Sequence, residues 1–345
     1  MKILHILNTK HLSGAENVVA DICMMFKDQI DMVYCSPKGQ ISEALKDRSV
    51  TFIPVNDLSL LQINKVIKKY NPDIIHAHDI KATLIGALLT KKIPLVSHLH
   101  GNQEDMRKFS IKSLIYYLST IKAKKIIMVS KSCLLDYYFK KFIYKKTTIL
   151  KNIIYKSRIE QLTLKDTNKY NFDFVFLGRL SYPKNPERVA IVASMVLNRL
   201  PDAKFGVIGD GELKKSMVSI FKQNGVSDRV VFTGKLEYPY NALKASKCIL
   251  MCSRFEGTPI AALEAMFLGL PIVSTPTDGI IDLVDQGVTG FLSDDNNVLA
   301  DYVVKMLTNQ EMRNDFSNQE MVKFNTLNNI DQYKKDLFGI YNSLL

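Results

Sequence analysis

The sequence has no apolar run long enough to cross a membrane, and it has few cysteines. A membrane-spanning helix needs about 18 or more consecutive apolar residues, and no stretch reaches that length. The apolar N-terminal stretch turns polar at Asn8, which is too early for a signal peptide. The 5 cysteines stand at unrelated spacings, and we interpret them as reduced thiols that bind no metal. We therefore expect a cytoplasmic protein.

The sequence also lacks internal repeats, low-complexity tracts and recognised nucleic-acid-binding motifs. The first two absences exclude a solenoid and a largely disordered chain. The third argues against nucleic acid as a partner, although the formal net charge is +12.

Length and composition indicate two globular domains. A chain of 345 residues exceeds one typical domain of about 150 residues, and its 47% apolar and 23% charged residues are ordinary for globular proteins. The charge is unevenly divided. Residues 1–170 contain 28 Lys/Arg against 14 Asp/Glu, a net +14, and the remainder contains 18 against 20, a net −2. An anionic surface, either a membrane or a polyanion, is therefore expected to meet the first half.

Short runs rich in Ile, Val and Phe alternate with longer amphipathic stretches, which is typical of β-α units around parallel sheets. The predicted strands are 2–7, 32–35, 51–55, 74–78, 95–99 and 126–129 in the first half, and 172–177, 204–208, 230–232, 248–251 and 272–274 in the second. The polar segment 155–171 between the two sets is predicted to be a linker. The sequence thus predicts an α/β protein with two doubly wound Rossmann-like domains, 1–165 and 166–345, and allows the last helix to cross back to the first domain.

Two such domains are expected to face each other across a cleft, at the carboxyl ends of the strands where doubly wound folds bind ligands.

The segment 253–266 follows the predicted strand 248–251 and opens a helix near Pro259. A helix start suits a phosphate or sugar oxygen. Glu256 in the loop and Glu264 in the helix suit sugar hydroxyls, because carboxylate oxygens accept charge-assisted hydrogen bonds. The alternative is that Glu256 only caps the helix and that Glu264 is solvated.

The motifs of the second half resemble the signature of glycosyltransferase family 4. The matching segments occur in family order: Gly178-Arg179-Leu180 with Lys184, the strand-glycine turns at 207–213 and 232–234, the Glu-x7-Glu segment from Glu256 to Glu264, Gly-Leu-Pro-Ile-Val at 269–273, and the closing loop at 287–292. Together they span most of residues 172–295. The resemblance implies a GT-B fold and transfer of sugar from a nucleotide-sugar donor with retention of anomeric configuration. It also implies that no cofactor and no dedicated nucleophile are needed.

The resemblance further implies which residues hold the donor and which take part in transfer. The implied donor-binding residues are Gly14, Gly178, Arg179, Lys184, Gly257, Thr258, Pro259, Ile260 and Glu264. The implied catalytic residues are His100, Arg179, Lys184 and Glu256. Relatives use the position of Glu264 for ribose hydroxyls and that of Glu256 for hydroxyls of the transferred sugar.

Arg179 and Lys184 also have a physical rationale of their own. Sugar transfer expels a nucleoside diphosphate, and two fixed cations would stabilise the charge that develops on the departing oxygens. The sequence contains no Asp-x-Asp triple, the usual pattern by which metal-dependent transferases hold a diphosphate-bound cation. We therefore expect a metal-independent enzyme. The alternative is that both cations are surface residues of a turn.

The first half resembles the family less closely. The segment Leu-Ser-Gly-Ala-Glu at 12–16 is similar to the family's Gly-Gly-Ala-Glu loop, whose backbone approaches the donor phosphates. Ser13 replaces the first glycine, so Gly14 is the position at which the backbone can approach closely. The alternative is an ordinary turn. Of the family's Asn-Gly-Val/Ile-Asp motif, only Asn152 is kept.

Histidines occur in pairs at the ends of two predicted strands, as His76 with His78 and His98 with His100. Residues i and i+2 of a strand share a face, so each pair can point into the cleft. His100 matches the position at which relatives place a histidine beside the donor sugar. We interpret His76, His78 and His98 as structural hydrogen-bonding groups. No zinc site is expected, because the sequence shows no third ligand in register with either pair.

The basic excess of the first half is concentrated in residues 107–151. The segments 107–118, 122–125 and 137–142 interleave lysines with aromatic and aliphatic residues. Basic amphipathic helices with aromatic residues bind anionic membranes, and each nearby Lys or Arg contributes about 1 kcal/mol. This pattern predicts peripheral contact with the inner face of the cell membrane. The alternative is that the apolar faces belong to the domain core and the lysines are solvated.

Together these features predict a retaining transferase that moves a hexose or N-acetylhexosamine to a glycan or lipid-linked acceptor. UDP is the expected nucleotide, with GDP and ADP as alternatives. The expected setting is the synthesis of a bacterial surface polysaccharide, such as capsule or lipopolysaccharide. Two other interpretations stay open: a nucleotide-sugar epimerase or hydrolase of the same fold, and an inactive partner subunit of an active transferase.

Overall fold

Two all-parallel sheets organise the part of the chain that the computed structural model describes, residues 1–90, 92–101 and 104–345. Each sheet lies in its own compact unit. The first unit consists of Met1–Tyr155 together with Asn329–Leu345, and the second of Lys156–Asn328. The chain therefore leaves the first unit before residue 165, the boundary predicted from the sequence, because the polar segment 155–171 contains a helix that packs in the second unit.

The first unit has seven strands in the order β3-β2-β1-β4-β5-β6-β7. Its strands are β1 Lys2–Ile6, β2 Asp31–Pro37, β3 Phe52–Val55, β4 Ile74–Ala77, β5 Leu95–Leu99, β6 Lys125–Met128 and β7 Thr147–Ile149. Its helices are α1 Gly14–Met25, α2 Ile41–Asp47, α3 Leu60–Tyr70, α4 Ile80–Leu89, α5 Glu104–Arg107, α6 Ile111–Lys122, α7 Lys131–Leu135, α8 Lys140–Ile143 and, from the end of the chain, α17 Ile330–Asn342. Every residue of β4 and β5 is buried, as expected for a parallel sheet covered on both faces.

The second unit has six strands in the order β10-β9-β8-β11-β12-β13. Its strands are β8 Phe174–Leu177, β9 Phe205–Ile208, β10 Val230–Gly234, β11 Cys248–Met251, β12 Ile272–Ser274 and β13 Gly290–Leu292. Its helices are α9 Lys156–Thr163, α10 Pro186–Arg199, α11 Lys214–Gln223, α12 Tyr240–Lys244, α13 Ile260–Phe267, α14 Asp278–Ile281, α15 Asn296–Thr308 and α16 Gln310–Leu327. The central strand β11 is buried at every position.

The eleven strands predicted from the sequence all exist, with small shifts at their ends. The two strands that were not predicted, β7 and β13, are three-residue strands at sheet edges. Strand β7 has the sequence Thr-Thr-Ile, and β13 lies inside the segment 287–292 that was interpreted as a loop. Both runs are too short to show a strand pattern on their own.

Each sheet has one point at which the strand order reverses, between β1 and β4 in the first unit and between β8 and β11 in the second. Loops that follow the two strands at such a switch point diverge, and the crevice between them is where doubly wound folds bind ligands. Asp79 joins the two loops of the first unit. Its carboxylate accepts hydrogen bonds from the backbone N–H groups of Asn8 and Ala82, both at 2.7 Å, and so caps α4 as well.

Two glycines let neighbouring loops of the second unit touch. Gly209, which follows β9, has a φ of +143°, and a Cβ at that position would lie 1.9 Å from the carbonyl oxygen of Gly178. A Cβ at Gly279 would lie 1.5 Å from the carbonyl oxygen of Gly257. No other residue type fits at either place without moving the backbone. The backbone of the loop with Gly178 therefore contacts the loop with Gly209, and the backbone of the loop with Gly257 contacts the segment with Gly279.

Glu320 is a buried carboxyl group in the second unit that should make the stability of the protein depend on pH. It is fully buried in α16, neither carboxyl oxygen has a hydrogen-bond partner among the described residues, and burial raises its pKa well above the usual value near 4.5. The folded state keeps this carboxyl protonated while the unfolded chain ionises it, so its contribution to stability falls as the pH rises above the unfolded pKa. We expect Glu320→Gln to raise the thermal midpoint, with a gain that grows between pH 5 and pH 8.

Glu311 on the same helix is exposed and serves as the matched control. Glu311→Gln should shift the midpoint only slightly and equally at both pH values. An effect of Glu320→Gln that does not change with pH would contradict the protonated carboxyl.

Candidate functional site

The switch point of the second sheet brings two of the predicted site residues into contact. Lys184 follows β8 and Glu256 follows β11, and the Lys184 Nζ donates a hydrogen bond to the Glu256 Oε1 at 2.5 Å. Arg179 lies exposed in the same loop as Lys184. The loops are joined a second time by Arg254, whose guanidinium donates to the Tyr182 carbonyl at 2.6 Å and covers the Tyr182 ring at 4.2 Å. The loop after β8 thus provides Arg179 and Lys184, the loop after β11 provides Glu256, and the two loops are in contact.

Glu256 is held from its own loop as well. It is 7% exposed, and Ser253, which was not singled out from the sequence, donates its hydroxyl to the same Oε1 at 2.7 Å. The Lys184 side chain is 27% exposed, so the cation is the more accessible partner of the pair. Glu256 does not cap a helix: α13 begins at Ile260, and the residue at its N-cap is Pro259. The capping interpretation of Glu256 is therefore wrong.

The other predicted donor-binding residues follow one another along the same loop. Gly257, Thr258 and Pro259 lie between β11 and α13, and Ile260 is the first residue of the helix. Gly178 follows β8, and its backbone N–H donates to the carbonyl of Ile208 at 3.0 Å, which continues the pairing with β9 beyond the strand.

Glu264 lies inside α13 and is 4% exposed, so its interpretation as a solvated helix residue is wrong. Both terminal nitrogens of the Arg158 guanidinium lie 3.2 Å from the Glu264 Oε1, and the Tyr240 hydroxyl donates to the same oxygen at 3.4 Å. Arg158 is itself fully buried and belongs to α9. Arg158 was missed because it stands in a segment interpreted as a linker. The apolar residues Ile159 and Leu162, both buried, were the signal of a packed helix there.

The Arg158–Glu264 pair should contribute strongly to the stability of the second unit. Removing one member of a buried ion pair leaves an uncompensated charge, which costs about 3–5 kcal/mol. We expect Arg158→Met to lower the free energy of unfolding by that amount in urea denaturation, and Arg158→Met/Glu264→Gln to recover part of it.

The exposed pair Arg199–Asp301, at 2.5 Å with side chains 39% and 57% exposed, is the matched control. Arg199→Met should cost less than about 1 kcal/mol. Equal losses for the two arginine variants would show that the buried pair has no special role.

In the first unit, Gly14 is the first residue of α1, and Ser13 occupies the N-cap in an extended conformation. The Ser13 hydroxyl donates to the Glu16 carboxylate instead of capping the helix. Ser13 is therefore tied to the first turn of the helix, and the approach of Gly14 to phosphates stays a prediction.

Five of the six histidines form one cluster at the carboxyl ends of β1, β4 and β5. The cluster consists of His5, His76, His78, His98 and His100. The parallel register pairs His5 of β1 with His76 of β4. The His5 Nδ1 lies 2.8 Å from the His78 Nε2, and the His78 Nδ1 lies 2.9 Å from the His100 Nε2. The sequence showed no third histidine beside either pair, and the sheet supplies one.

The cluster is kept neutral by burial. Loss of hydration lowers the pKa of His5 and His100 to about 3, and it lowers the pKa of His76, His78 and His98 well below the usual 6.5. At His100 a hydrogen bond with Asn152 opposes the shift, which gives the one residue kept from the Asn-Gly-Val/Ile-Asp motif a contact with the predicted site residue. His100 is less buried than the other four.

The last helix of the chain contributes to this cluster. The Tyr341 hydroxyl of α17 lies 2.7 Å from the His76 Nδ1, and the two rings meet edge to face. Tyr341 therefore contacts His76 although the two residues lie far apart in the sequence, and no local sequence pattern indicates this contact.

Two protein-family models match the chain. One, described as "Glycosyltransferase Family 4", matches residues 12–143, and the other, "Glycosyl transferases group 1", matches residues 159–321. The first match lies within the first unit and the second within the second unit. Between them they include every predicted site residue.

Two proteins of similar sequence are named for steps in the synthesis of bacterial glycans. The UDP-Gal:alpha-D-GlcNAc-diphosphoundecaprenol alpha-1,3-galactosyltransferase of Escherichia coli is 26% identical over 98% of this chain and 96% of its own length. The capsular polysaccharide biosynthesis glycosyltransferase CapH of Staphylococcus aureus is 22% identical over 80% of this chain and 81% of its own.

Solved structures of similar fold include HepE from Anabaena. Its complex with UDP and glucose superposes with a TM-score of 0.84 at 20% identity, covering 99% of this chain and 100% of HepE. Its complex with UDP-glucose gives a TM-score of 0.83 at 19% identity, with the same coverage. These likenesses show that the fold is GT-B.

Proposed function

Because this chain belongs to glycosyltransferase family 4, we propose that it is a retaining enzyme that uses a UDP-sugar donor. The transferred group is a hexose or N-acetylhexosamine, and the acceptor is a glycan or lipid-linked intermediate of a bacterial surface polysaccharide. The observation that carries the proposal is the Lys184–Glu256 contact at the switch point of the second sheet. The donor and acceptor named for the Escherichia coli relative, and the capsule pathway named for CapH, support the substrate classes.

Transfer forms a bond between an acceptor hydroxyl oxygen and the anomeric carbon, and it breaks the bond between that carbon and the diphosphate. The acceptor proton passes to the leaving diphosphate. Negative charge therefore grows on the phosphate oxygens, and Arg179 and Lys184 are the cations that we assign to its stabilisation. With two fixed cations in this role, the proposed reaction needs no divalent metal.

The pairing of Lys184 with Glu256 suggests how the donor is received. Before the donor binds, each side chain neutralises the other, and Ser253 holds the carboxylate in place. The diphosphate would take over the Lys184 ammonium, which is the more exposed partner. Glu256, released from the cation but still fixed by Ser253, would then accept hydrogen bonds from hydroxyls of the transferred sugar.

Glu264 is assigned to the ribose of the nucleotide. Arg158 and Tyr240 hold its Oε1 and so fix the carboxyl group before the nucleotide arrives, which lowers the entropic cost of binding. In the first unit, Gly14 and His100 are the residues that we propose for contact with the donor phosphates and the donor sugar.

Glu256→Ala tests the central assignment. We expect it to lower kcat by about 100-fold or more, because it removes a contact to the reacting sugar. The affinity for UDP should change by less than about threefold, because the proposed nucleotide contacts lie at Glu264. The measurements are sugar transfer from labelled UDP-sugar to a lipid-linked acceptor by the purified chain, and UDP binding by calorimetry.

Glu311→Ala, on the exposed face of α16, is the control and should behave as wild type. Turnover of Glu256→Ala close to wild type would refute the assignment. Release of UDP or sugar without an acceptor would instead favour the hydrolase or epimerase interpretation. UDP binding without any transfer, with all candidate acceptors, would favour the inactive partner. Stabilisation by GDP or ADP but not UDP in a thermal-shift screen would change the proposed nucleotide.

We also propose that the first unit contacts an anionic membrane through the surface formed by α6, α7 and α8. No helix in the described part of the chain has the length and apolar character needed to cross a bilayer. Large apolar side chains are nevertheless exposed in and between these helices: Phe109, Ile111, Leu118, Ile121, Leu135, Tyr138, Phe142 and Tyr144. Exposed lysines lie among them at positions 112, 122, 131, 140, 141 and 145.

Ring contacts make part of this surface continuous. Phe109 packs edge to face against Tyr138 at 5.9 Å, and Tyr117 contacts Phe139 at 5.0 Å and Phe142 at 5.2 Å. The interpretation of these apolar residues as domain core is wrong for those that are exposed, whereas Tyr116 and Tyr137 are core residues. An exposed aromatic cluster beside lysines has the composition of a surface that binds anionic lipid.

Vesicle binding tests the membrane proposal. The wild-type chain should sediment with phosphatidylglycerol vesicles and much less with phosphatidylcholine vesicles, because the lysines need anionic headgroups. Phe109→Ser/Phe142→Ser should weaken binding by about tenfold or more through loss of apolar burial. Val322→Ser removes an equally exposed apolar side chain from α16 and is the control. Equal binding by the double variant and wild type would refute the proposal.

A further inference from the structure

The histidine cluster contains two buried members, His78 and His98, that no part of the proposed sugar transfer uses, and both lie beside His100. His78, His98 and His100 each offer a ring nitrogen, and these nitrogens all lie within 4.8 Å of one another. We propose that these three histidines form a binding site for one divalent transition-metal ion of the zinc class, and that occupancy of this site inhibits the enzyme.

The rings of these three histidines lie against one another. The ring centroids of His98 and His100 are 4.0 Å apart, and that of His78 lies 5.4 Å and 5.2 Å from them. With Zn–N bonds of about 2.0–2.1 Å, tetrahedral ligand nitrogens lie about 3.4 Å from one another. To reach that spacing with converging nitrogens, the rings of His98 and His100, which are now stacked with planes 28° apart, must rotate away from one another.

The hydrogen bonding of His98 favours an added partner. His98 is fully buried, and neither of its ring nitrogens has a partner among the described residues. A buried polar group without a partner is costly, and a metal ion would give His98 one. Burial also keeps all three imidazoles neutral, which is the form that binds metals.

A second trio, His5, His76 and His78, is also close enough to bind an ion. It is the less suitable site because all three of its residues are fully enclosed. In the proposed site His100 is partly exposed, which gives an ion a route of access. His5 does not bind the ion itself. Its Nδ1 lies 2.8 Å from the His78 Nε2, and this contact fixes the orientation of the His78 ring.

The ligand set determines which ions would bind. Imidazole nitrogens suit Zn²⁺, Co²⁺, Ni²⁺ and Cu²⁺, whereas Mg²⁺ and Ca²⁺ prefer oxygen ligands. Three protein ligands leave a fourth position for water. The site is therefore distinct from the diphosphate-bound cation of metal-dependent transferases, and its presence is compatible with metal-independent transfer.

The inhibitory part of the inference rests on the proposed function. His100 is the residue proposed to contact the donor sugar, and coordination would engage one of its nitrogens and turn its ring toward His78 and His98. Micromolar zinc should therefore slow sugar transfer, and a chelator should restore it.

Direct metal binding is the first test, and it does not depend on activity. The untagged chain, freed of metal with a chelator, should bind one Co²⁺ with the visible absorption of a tetrahedral site and one Zn²⁺ by calorimetry. His98→Leu should weaken binding by roughly 100-fold or more, because it removes one ligand. His11→Leu should bind as wild type, since His11 is the exposed sixth histidine and lies outside the cluster. Thermal melts and UDP binding establish that both variants are folded.

No Co²⁺ binding at 1 mM, or equal binding by His98→Leu and wild type, would overturn the site. Inhibition is then measured as the ratio of transfer rates with and without Zn²⁺ for each protein. Wild type and His11→Leu should lose more than about 90% of their rate, and His98→Leu should be insensitive at the same concentration. Binding without inhibition would overturn the inhibitory role. Metal binding by a chain that transfers no sugar under any condition would refute the proposed function and leave the site standing.

Discussion

The parallel register of the strands at the two switch points determines which side chains of this protein can meet. In the first sheet, pairing of β1 with β4 puts His5 beside His76, and the histidine cluster grows from that pair. In the second sheet, pairing of β8 with β11 starts the two loops that bring Lys184 to Glu256. A slip of one residue in the pairing of β1 with β4 would turn His76 to the opposite face of the sheet. The positions of these groups therefore depend on backbone hydrogen bonds between the central strands of each sheet.

The second unit contains two contrasting ion pairs near one helix. Arg158 and Glu264 are both buried, and the arginine is matched by two polar partners, Glu264 and Tyr240, so the pair is a fixed structural element. Lys184 and Glu256 are closer together, but the lysine is partly exposed, so an incoming anion can reach its ammonium group. One pair thus keeps its geometry, and the other has a partner that can be exchanged. A site that accepts a charged donor needs both properties.

Much of the fold could be predicted from the sequence, because central parallel strands are short apolar runs bounded by polar residues. The bounds of β11 and β12 agree with the prediction for this reason. The edge strands β7 and β13 are as short as a chance apolar run, and α9 lies in a segment whose polar side chains hide its buried face. The contact of Lys184 with Glu256 follows from motifs on neighbouring strands. His5 could not be found in this way, because only the strand register brings it beside His76. Arg158 could not be found either, because its partner Glu264 lies far along the chain on another helix.

The return of α17 to the first unit has a consequence for how the chain is made. The first unit needs Met1–Tyr155 and Asn329–Leu345, whereas the second unit is one continuous stretch between them. On the ribosome, the second unit is therefore complete before the helix that carries Leu337 and Tyr341 has emerged. Both residues are fully buried in the finished protein, so the first sheet has an open apolar face, and His76 lacks its tyrosine partner, until synthesis reaches the last helix. The N-terminal half of this enzyme is synthesised first, but it cannot be completed until the last helix has been made.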